Sequence, residues 1–194
     1  MTGAPAVTLS TPIPTTVAGA PYRAVPGAGS SVRRVAKKAA GTPATVLLTA
    51  EKVEHRLHPY EVSPEAPNYG ALVAEALGVA PERLFKTLIA DVDGTLTVAV
   101  VPVTGDLDLK GLAAAVGGKR AALADRAAAE RSSGYVRGGI SPLGQRKRLR
   151  TVIDASALEL TEMYVSAGRR GLQVSLAPAD LIRLTTAITS DIRT

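Results

Sequence analysis

Cysteine and tryptophan are both absent, and aromatic residues make up only 3% of the 194 residues. Without thiols the chain can build no disulfide, thiolate zinc site, iron–sulfur cluster or cysteine nucleophile. Phe85, Tyr22, Tyr60, Tyr69, Tyr135 and Tyr164 are its only aromatics, so a broad stacking platform for bases is excluded. The core must be assembled from Ala, Val, Leu and Ile. No run approaches the roughly 18 apolar residues of a membrane span. The N-terminus lacks a charged region followed by an apolar one. A soluble, cytoplasmic protein without a membrane partner is expected.

What is present suits one domain and a tail. Hydrophobic residues at 46% with charged residues at 21% are enough for a packed core. Residues 1–42 are rich in Thr, Pro, Ala, Gly and Ser without periodicity, the composition of a disordered tail. That tail holds Arg23, Arg33, Arg34, Lys37 and Lys38 and no acid, so of the formal +6 only about +1 remains for the folded domain, residues 43–194. The pI near 9.8 is therefore mainly a property of the tail. A basic excess of this kind suits a polyanionic partner.

Periodic segments begin at Gly41. Thr42-Pro43 reads as an N-cap and first helical residue of a short helix, and a strand is expected near Arg56 to Val62. The amphipathic stretch Tyr69 to Leu77 predicts a helix stopped by Gly78, and Pro81 opens a short turn. Phe85 to Val92 and Thr95 to Val103 predict strands joined at Asp93-Gly94, a dipeptide suited to a two-residue hairpin. Helices are expected over Leu109 to Val116, Ala121 to Arg131 and Pro178 to Thr189. Strands are expected over 149–154, 162–166 and 171–176. This order predicts a mixed α/β domain whose sheet is mostly antiparallel.

Several short strings offer chemistry and then fail on context. Asp91-Val-Asp93-Gly-Thr resembles the first motif of haloacid dehalogenase-type phosphatases. No downstream acidic pair for magnesium follows it, however, and the chain continues as a second strand. His55 and His58, three apart on a strand, face opposite sides and suit joint metal ligation poorly. Gly138-Gly-Ile-Ser141-Pro-Leu-Gly144 does not make a nucleophile elbow, and Gly117-Gly-Lys119-Arg120 lacks Walker spacing. No metal or cofactor is expected.

Two features remain. Lys86 interrupts the apolar run Leu84-Phe-Lys-Thr-Leu-Ile-Ala90, where an ammonium either needs a partner or faces solvent. The glycine-rich loop Gly134 to Gly144 frees backbone N–H groups to approach a ligand, and Arg146, Lys147, Arg148 and Arg150 follow at once. Cations beside such a loop suit a phosphate-bearing ligand or a solvated basic turn.

Phe85-Lys86-Thr87-Leu88, Arg131-Ser-Ser-Gly-Tyr135, Gly138-Gly-Ile-Ser-Pro-Leu-Gly-Gln145 and Tyr164-Val-Ser-Ala-Gly-Arg-Arg-Gly171 together resemble the YbaK family. These are free-standing editing proteins related to the inserted editing domain of bacterial prolyl-tRNA synthetase. The match runs from about Thr42 to the C-terminus and includes His58-Pro-Tyr60. It implies a mixed α/β fold around a curved, barrel-like sheet with surrounding helices, and hydrolysis of mischarged Cys-tRNA(Pro). Carried over by position, the resemblance makes Lys86 the functional lysine and Gly138 the key glycine of a loop running through Gly139, Ile140 and Ser141 to Pro142. It sets Tyr60 and Ser166 in the pocket, with Asp154 nearby. Residues 1–42 inherit nothing from it.

With no evident nucleophile, the protein would position and polarise the ester, and the resemblance implies that the substrate thiol attacks its own carbonyl. The expected partners are the acceptor end of tRNA(Pro), gripped by Lys119, Arg120, Arg146, Lys147, Arg148 and Arg150, and prolyl-tRNA synthetase in a transient complex, with no DNA. A relative specialised for alanine on proline tRNA and an idle tRNA- or synthetase-binding module are the alternatives.

Overall fold

The computed structural model describes residues 41–63 and 65–194. The expected tail, but for Gly41 and Thr42, lies outside the described residues. The first described element is a helix, α1 (Pro43–Ala50), and its cap is as expected: the Thr42 hydroxyl accepts from Thr45 N at 3.3 Å, with Pro43 at the first helical position. The same hydroxyl donates to the Ala167 carbonyl, tying the helix to a distant strand.

Two sheets follow. The first has the order β1 (His55–Pro59), β7 (Leu172–Leu176), β6 (Met163–Arg169). The second has the order β4 (Ala121–Leu123), β2 (Phe85–Val92), β3 (Thr95–Pro102), β5 (Arg150–Asp154), β8 (Ile188–Ser190). Four of the six strand pairings are antiparallel, and β5 runs parallel to both β3 and β8. Among the described residues a single bridge, Leu84 to Tyr164, joins the sheets at one corner. They curve around a shared core without closing a barrel.

That core explains the composition. Inward residues of β2, β3, β5, β6 and β7 meet those of α1 and of α5 (Pro178–Thr185), among them Leu48, Phe85, Ile89, Val98, Val165, Val174 and Leu181. The opposite face of the larger sheet, with Ala90, Ala99, Val101 and Val152, is covered by α3 (Leu109–Ala115) through Leu112 and Ala113. Strand β3 is thus buried on both faces, which is why it reads as an unbroken apolar run rather than an alternating one. The smaller sheet's other face carries α2 (Tyr69–Leu77), where Val73 and Ala74 pack with Tyr60, Leu84 and Tyr164.

The β2–β3 hairpin turns at Asp93 and Gly94 with φ of 48° and 86°, the left-handed pair that a tight hairpin requires. Two expected helices are shorter than their sequences suggest. Ala121 to Leu123 is strand, pairing with Ala90 to Val92, and the helix α4 (Arg126–Ser133) starts only after Asp125 caps it. The free edge of β2 overrides the helical preference of an alanine-rich run. Helix α5 stops at Thr186, which adopts φ 52° and ψ 41°, and residues 188–190 become β8 instead. Strand β1 begins one residue earlier and ends three earlier than expected.

Candidate active site

Beyond the Leu84–Tyr164 bridge the two sheets part, and the gap between β2 and β6 opens into a cleft of about 1220 Å³. Helix α2 forms one wall, and α4 with the Gly138 loop forms the other. Strand β4 pairs with β2 only from Ala90 to Val92, so the edge of β2 from Phe85 to Leu88 faces this space. Lys86 lies there. Its side chain is 31% exposed, and Nζ sits 3.1 Å from Oδ1 of Asp106, whose side chain is 92% exposed. The apolar stem is packed while the head stays at the opening. A pairing with so exposed a carboxylate holds the ammonium weakly, leaving it available to a ligand.

The cleft floor carries two polar atoms without partners. Thr87 Oγ1 and Gln173 Oε1 are both buried and accept or donate no hydrogen bond among the described residues. An unsatisfied buried group costs about 1–3 kcal/mol, a cost that a bound ligand or water offsets. Gln173 stands opposite Ser166 in the β6–β7 pairing, and both line the cleft. Ser166 Oγ accepts from Gly168 N at 3.3 Å.

Tyr60 does not line the cleft. It is buried behind Tyr69, which does, and the two hydroxyls lie 2.8 Å apart. Burial first, then the Tyr60 hydroxyl, raise the Tyr69 phenol far above its ordinary value, while the Arg170 cation pulls it the other way. Tyr69 therefore serves as a neutral hydrogen-bonding wall.

In the glycine-rich loop, Gly138 and Ile140 line the cleft, whereas Gly139, Ser141 and Pro142 are buried away from it. Ser141 is fully buried, its hydroxyl accepting from Leu143 N at 3.2 Å and its carbonyl accepting from Gln145 Nε2 at 2.9 Å. It cannot reach a ligand as a nucleophile. The loop is held from within by Tyr135, whose hydroxyl donates to the Leu143 carbonyl at 2.7 Å. Its glycines answer to packing as much as to ligand access: a Cβ at Gly139 would lie 2.8 Å from Arg169 Cα. Gly138 itself adopts φ 84°, and no hydrogen bond among the described residues uses its N–H or that of Ile140.

Other sequence candidates sit elsewhere. Asp154 is buried at the end of β5, where its carboxylate accepts from Ser156 N, the Ser156 hydroxyl and Ile192 N. It caps the turn after β5 and anchors the C-terminal segment. Lys119 and Arg120 lie beside the hairpin tip, their backbone N–H groups held by the Asp93 carboxylate at 2.6 and 3.1 Å. Arg146 and Lys147 donate backbone N–H bonds to Ser133 and Ser132. Arg148 reaches the Thr186 hydroxyl and Arg150 the Val116 carbonyl. None of these six cations lines the cleft. Asp91 and Asp93 both serve turn backbone, and the two histidines bond to Val53 O and to Ser175 Oγ separately.

The cations that do line it are Lys86, Arg126, Arg137 and Arg170. Thr87, Gln173, Tyr69 and the three arginines are cleft residues that sequence reasoning passed over. Position gave a signal in one case, since Arg137 immediately precedes Gly138. Gln173 interrupts an otherwise buried strand, Leu172-Gln-Val-Ser-Leu176.

A model of the aminoacyl-tRNA editing domain matches residues 64–184, a span that holds every cleft residue just described. The chain belongs to that family. Two proteins are similar to this editing domain over most of their length. One, from Enterococcus faecalis, is assigned as the Cys-tRNA(Pro)/Cys-tRNA(Cys) deacylase EbsC; it is 41% identical over 63% of this chain and 75% of its own. The other is the multifunctional Ser/Thr-tRNA deacylase ProXp-y of Escherichia coli K12, 31% identical over 71% of this chain and 83% of its own. The fold is shared with a crystal structure described as a trans-editing enzyme for prolyl-tRNA synthetase, with a TM-score of 0.68 and 21% identity over 78% of this chain and 97% of that one. No helix among the described residues of the editing domain is long and apolar enough to cross a membrane.

Proposed function

We propose that this editing domain is an aminoacyl-tRNA deacylase whose substrate is cysteine esterified to proline tRNA. The observation that carries the reading is the coincidence, in one cleft, of a weakly held Lys86 and two buried polar atoms, Thr87 Oγ1 and Gln173 Oε1, that lack partners. Such a cleft is built to complete its hydrogen bonds with a small polar ligand. The deacylase EbsC, with cysteine-bearing tRNAs in its name, supports the amino acid.

In this reading Lys86 fixes the terminal ribose, and the N–H groups of Gly138 and Ile140 stabilise the oxyanion that forms as the ester carbonyl is attacked. The attacking group is the substrate's own thiol. Its sulfur bonds to the carbonyl carbon as the ester C–O bond breaks, the thiol proton passes to the departing ribose oxygen, and a cyclic thiolactone leaves with free tRNA. Proline has no thiol and survives, a selection that size alone would not supply, since one methylene alters binding by only about 1–3 kcal/mol.

The acceptor stem would lie along the basic surface at the other end of β2, where Arg150 meets the turn before Lys119 and Arg120. Lys86 and Val92 are six strand residues apart, about 20 Å, a span a short RNA duplex bridges. With so little surface for reading an anticodon, tRNA choice would fall to prolyl-tRNA synthetase in a transient complex.

The test is deacylation of Cys-, Ala-, Ser- and Pro-tRNA(Pro) by the full chain, with Lys86→Ala beside it. Loss of the cysteine ester alone, slowed about a hundredfold or more by the substitution, is the expected result. Equal loss of Ala- or Ser-tRNA would remove thiol assistance. The Ser/Thr-tRNA deacylase relative makes serine the competing substrate.

A further inference from the structure

Three guanidinium groups, those of Arg126, Arg137 and Arg170, line the cleft together with the carboxylates of Glu130, Glu65 and Asp106, the last of which pairs with Lys86. The Glu130 carboxylate is already engaged: its Oε1 accepts from Arg126 Nε at 3.0 Å and from the Arg137 backbone N–H at 2.9 Å. The Arg137 N–H first, then Arg126, hold that carboxyl below its ordinary value. Arg170, in the turn between β6 and β7, uses only Nε, which donates to the Arg137 carbonyl at 2.9 Å.

Gly138 leaves room for this arrangement. A Cβ there would lie 3.0 Å from Arg170 Nε, tighter than an ordinary contact, so the glycine eases the arginine's path across the loop. The Arg170 charge acts on the Tyr69 hydroxyl on one wall and on Glu130 on the other. Its terminal amino groups, and the whole Arg137 guanidinium, make no hydrogen bond or ion pair among the described residues. Glu65, exposed in the same lining, pairs with neither. The Arg170 fork is thus held at Nε and the Arg137 backbone is fixed at both its N–H and its carbonyl, while the charged ends of both arginines stay open, the form that suits a phosphate.

We propose that Arg137 and Arg170 clamp the phosphodiester joining the last two nucleotides of the RNA, seating the 3′-terminal ribose at Lys86. The choice of ligand rests on the deacylase reading above, whereas the anion site rests on the arginines alone. Binding of RNA is then organised in two parts, with this clamp fixing the single-stranded end.

Two substrates separate the clamp from the chemistry. One is a minihelix ending in CCA, used uncharged and cysteinylated; the other is 3′-O-cysteinyl-adenosine, which has no phosphate. For the full chain, Arg137→Ala and Arg170→Ala are each expected to weaken binding of the uncharged minihelix about tenfold. Each should also lower the slope of log affinity against log salt by about 0.7. On the cysteinylated minihelix KM rises with kcat retained for Arg137→Ala, and its cleavage of cysteinyl-adenosine is unchanged. Unaltered minihelix affinity and salt slope, or an equal loss by Arg137→Ala on cysteinyl-adenosine, would overturn the clamp. Arg137→Ala removes an exposed side chain that makes no hydrogen bond or ion pair among the described residues, so the fold is expected to survive it. Should the wild-type chain cleave neither ester, the deacylase reading fails, while the binding and salt measurements still decide the clamp.

Discussion

Gln173 occupies a position where a folded protein ordinarily puts an apolar residue. It is 7% exposed, flanked by Leu172 and Val174, and its carbonyl oxygen has no partner among the described residues. Removing both the polarity and the unmet bond, while keeping the shape, should therefore stabilise the fold or leave it unchanged. Gln173→Met is expected to keep or raise the melting temperature and to cut deacylation about tenfold or more, measured by calorimetry and by release of amino acid from charged tRNA. A fall in both would mean that the amide serves the fold. Thr87 was not legible in the sequence, because a polar residue on a strand looks the same whether it faces water or a cleft, and Gln173 offered only its interruption of the run Leu172 to Leu176. Lys86 was legible because a cation within an apolar run demands an explanation. Arg170 was not, since arginines beside glycines are the ordinary composition of a solvated turn, and only its place just before Gly138 set Arg137 apart.

Among the elements, those written by local rules were readable and those made by a neighbour's edge were not. Pro43 after Thr42, Gly78 after an amphipathic run, and Asp93-Gly94 between two strands each carry their own stop or start. Strands β4 and β8 exist only because β2 and β5 offer them a free edge, and no periodicity within three residues announces that. Where the sheets meet, the short helical turn Pro81–Arg83 is fastened to β6 by Arg83, which bonds Glu162 at 2.6 Å and lies over the Tyr164 ring at 5.4 Å. Burial works against the Glu162 carboxylate, but the Ser175 and Tyr164 hydroxyls and the Arg83 guanidinium together hold its carboxyl below the ordinary 4.5. A depressed folded-state value stabilises above the unfolded one and is lost as pH falls through the folded value. Glu162→Gln should therefore lower the melting temperature by about 2 °C at neutral pH, and the difference should shrink as the pH falls below the ordinary carboxylate range. A gap that persists in acid would show that the charge is not the cause.

At the scale of the whole molecule, the cleft exists because two sheets touch at one bridge and then part. That places the strand bearing Lys86 at a boundary: from Phe85 to Leu88, β2 has β3 on one side and no strand on the other among the described residues. An unpaired edge gives substrate access to backbone groups, and it is equally a template on which another copy's strand can add. Natural sheets discourage such pairing with lysine, and Lys86 stands in the middle of this edge. The residue proposed to hold the ribose would then also keep the opening from being zipped shut by a second chain. Lys86→Ala should self-associate at high concentration where wild type and Lys86→Arg remain dispersed, as light scattering would report. A cleft proposed to admit RNA is, in this sense, kept open to solvent by the charge of Lys86.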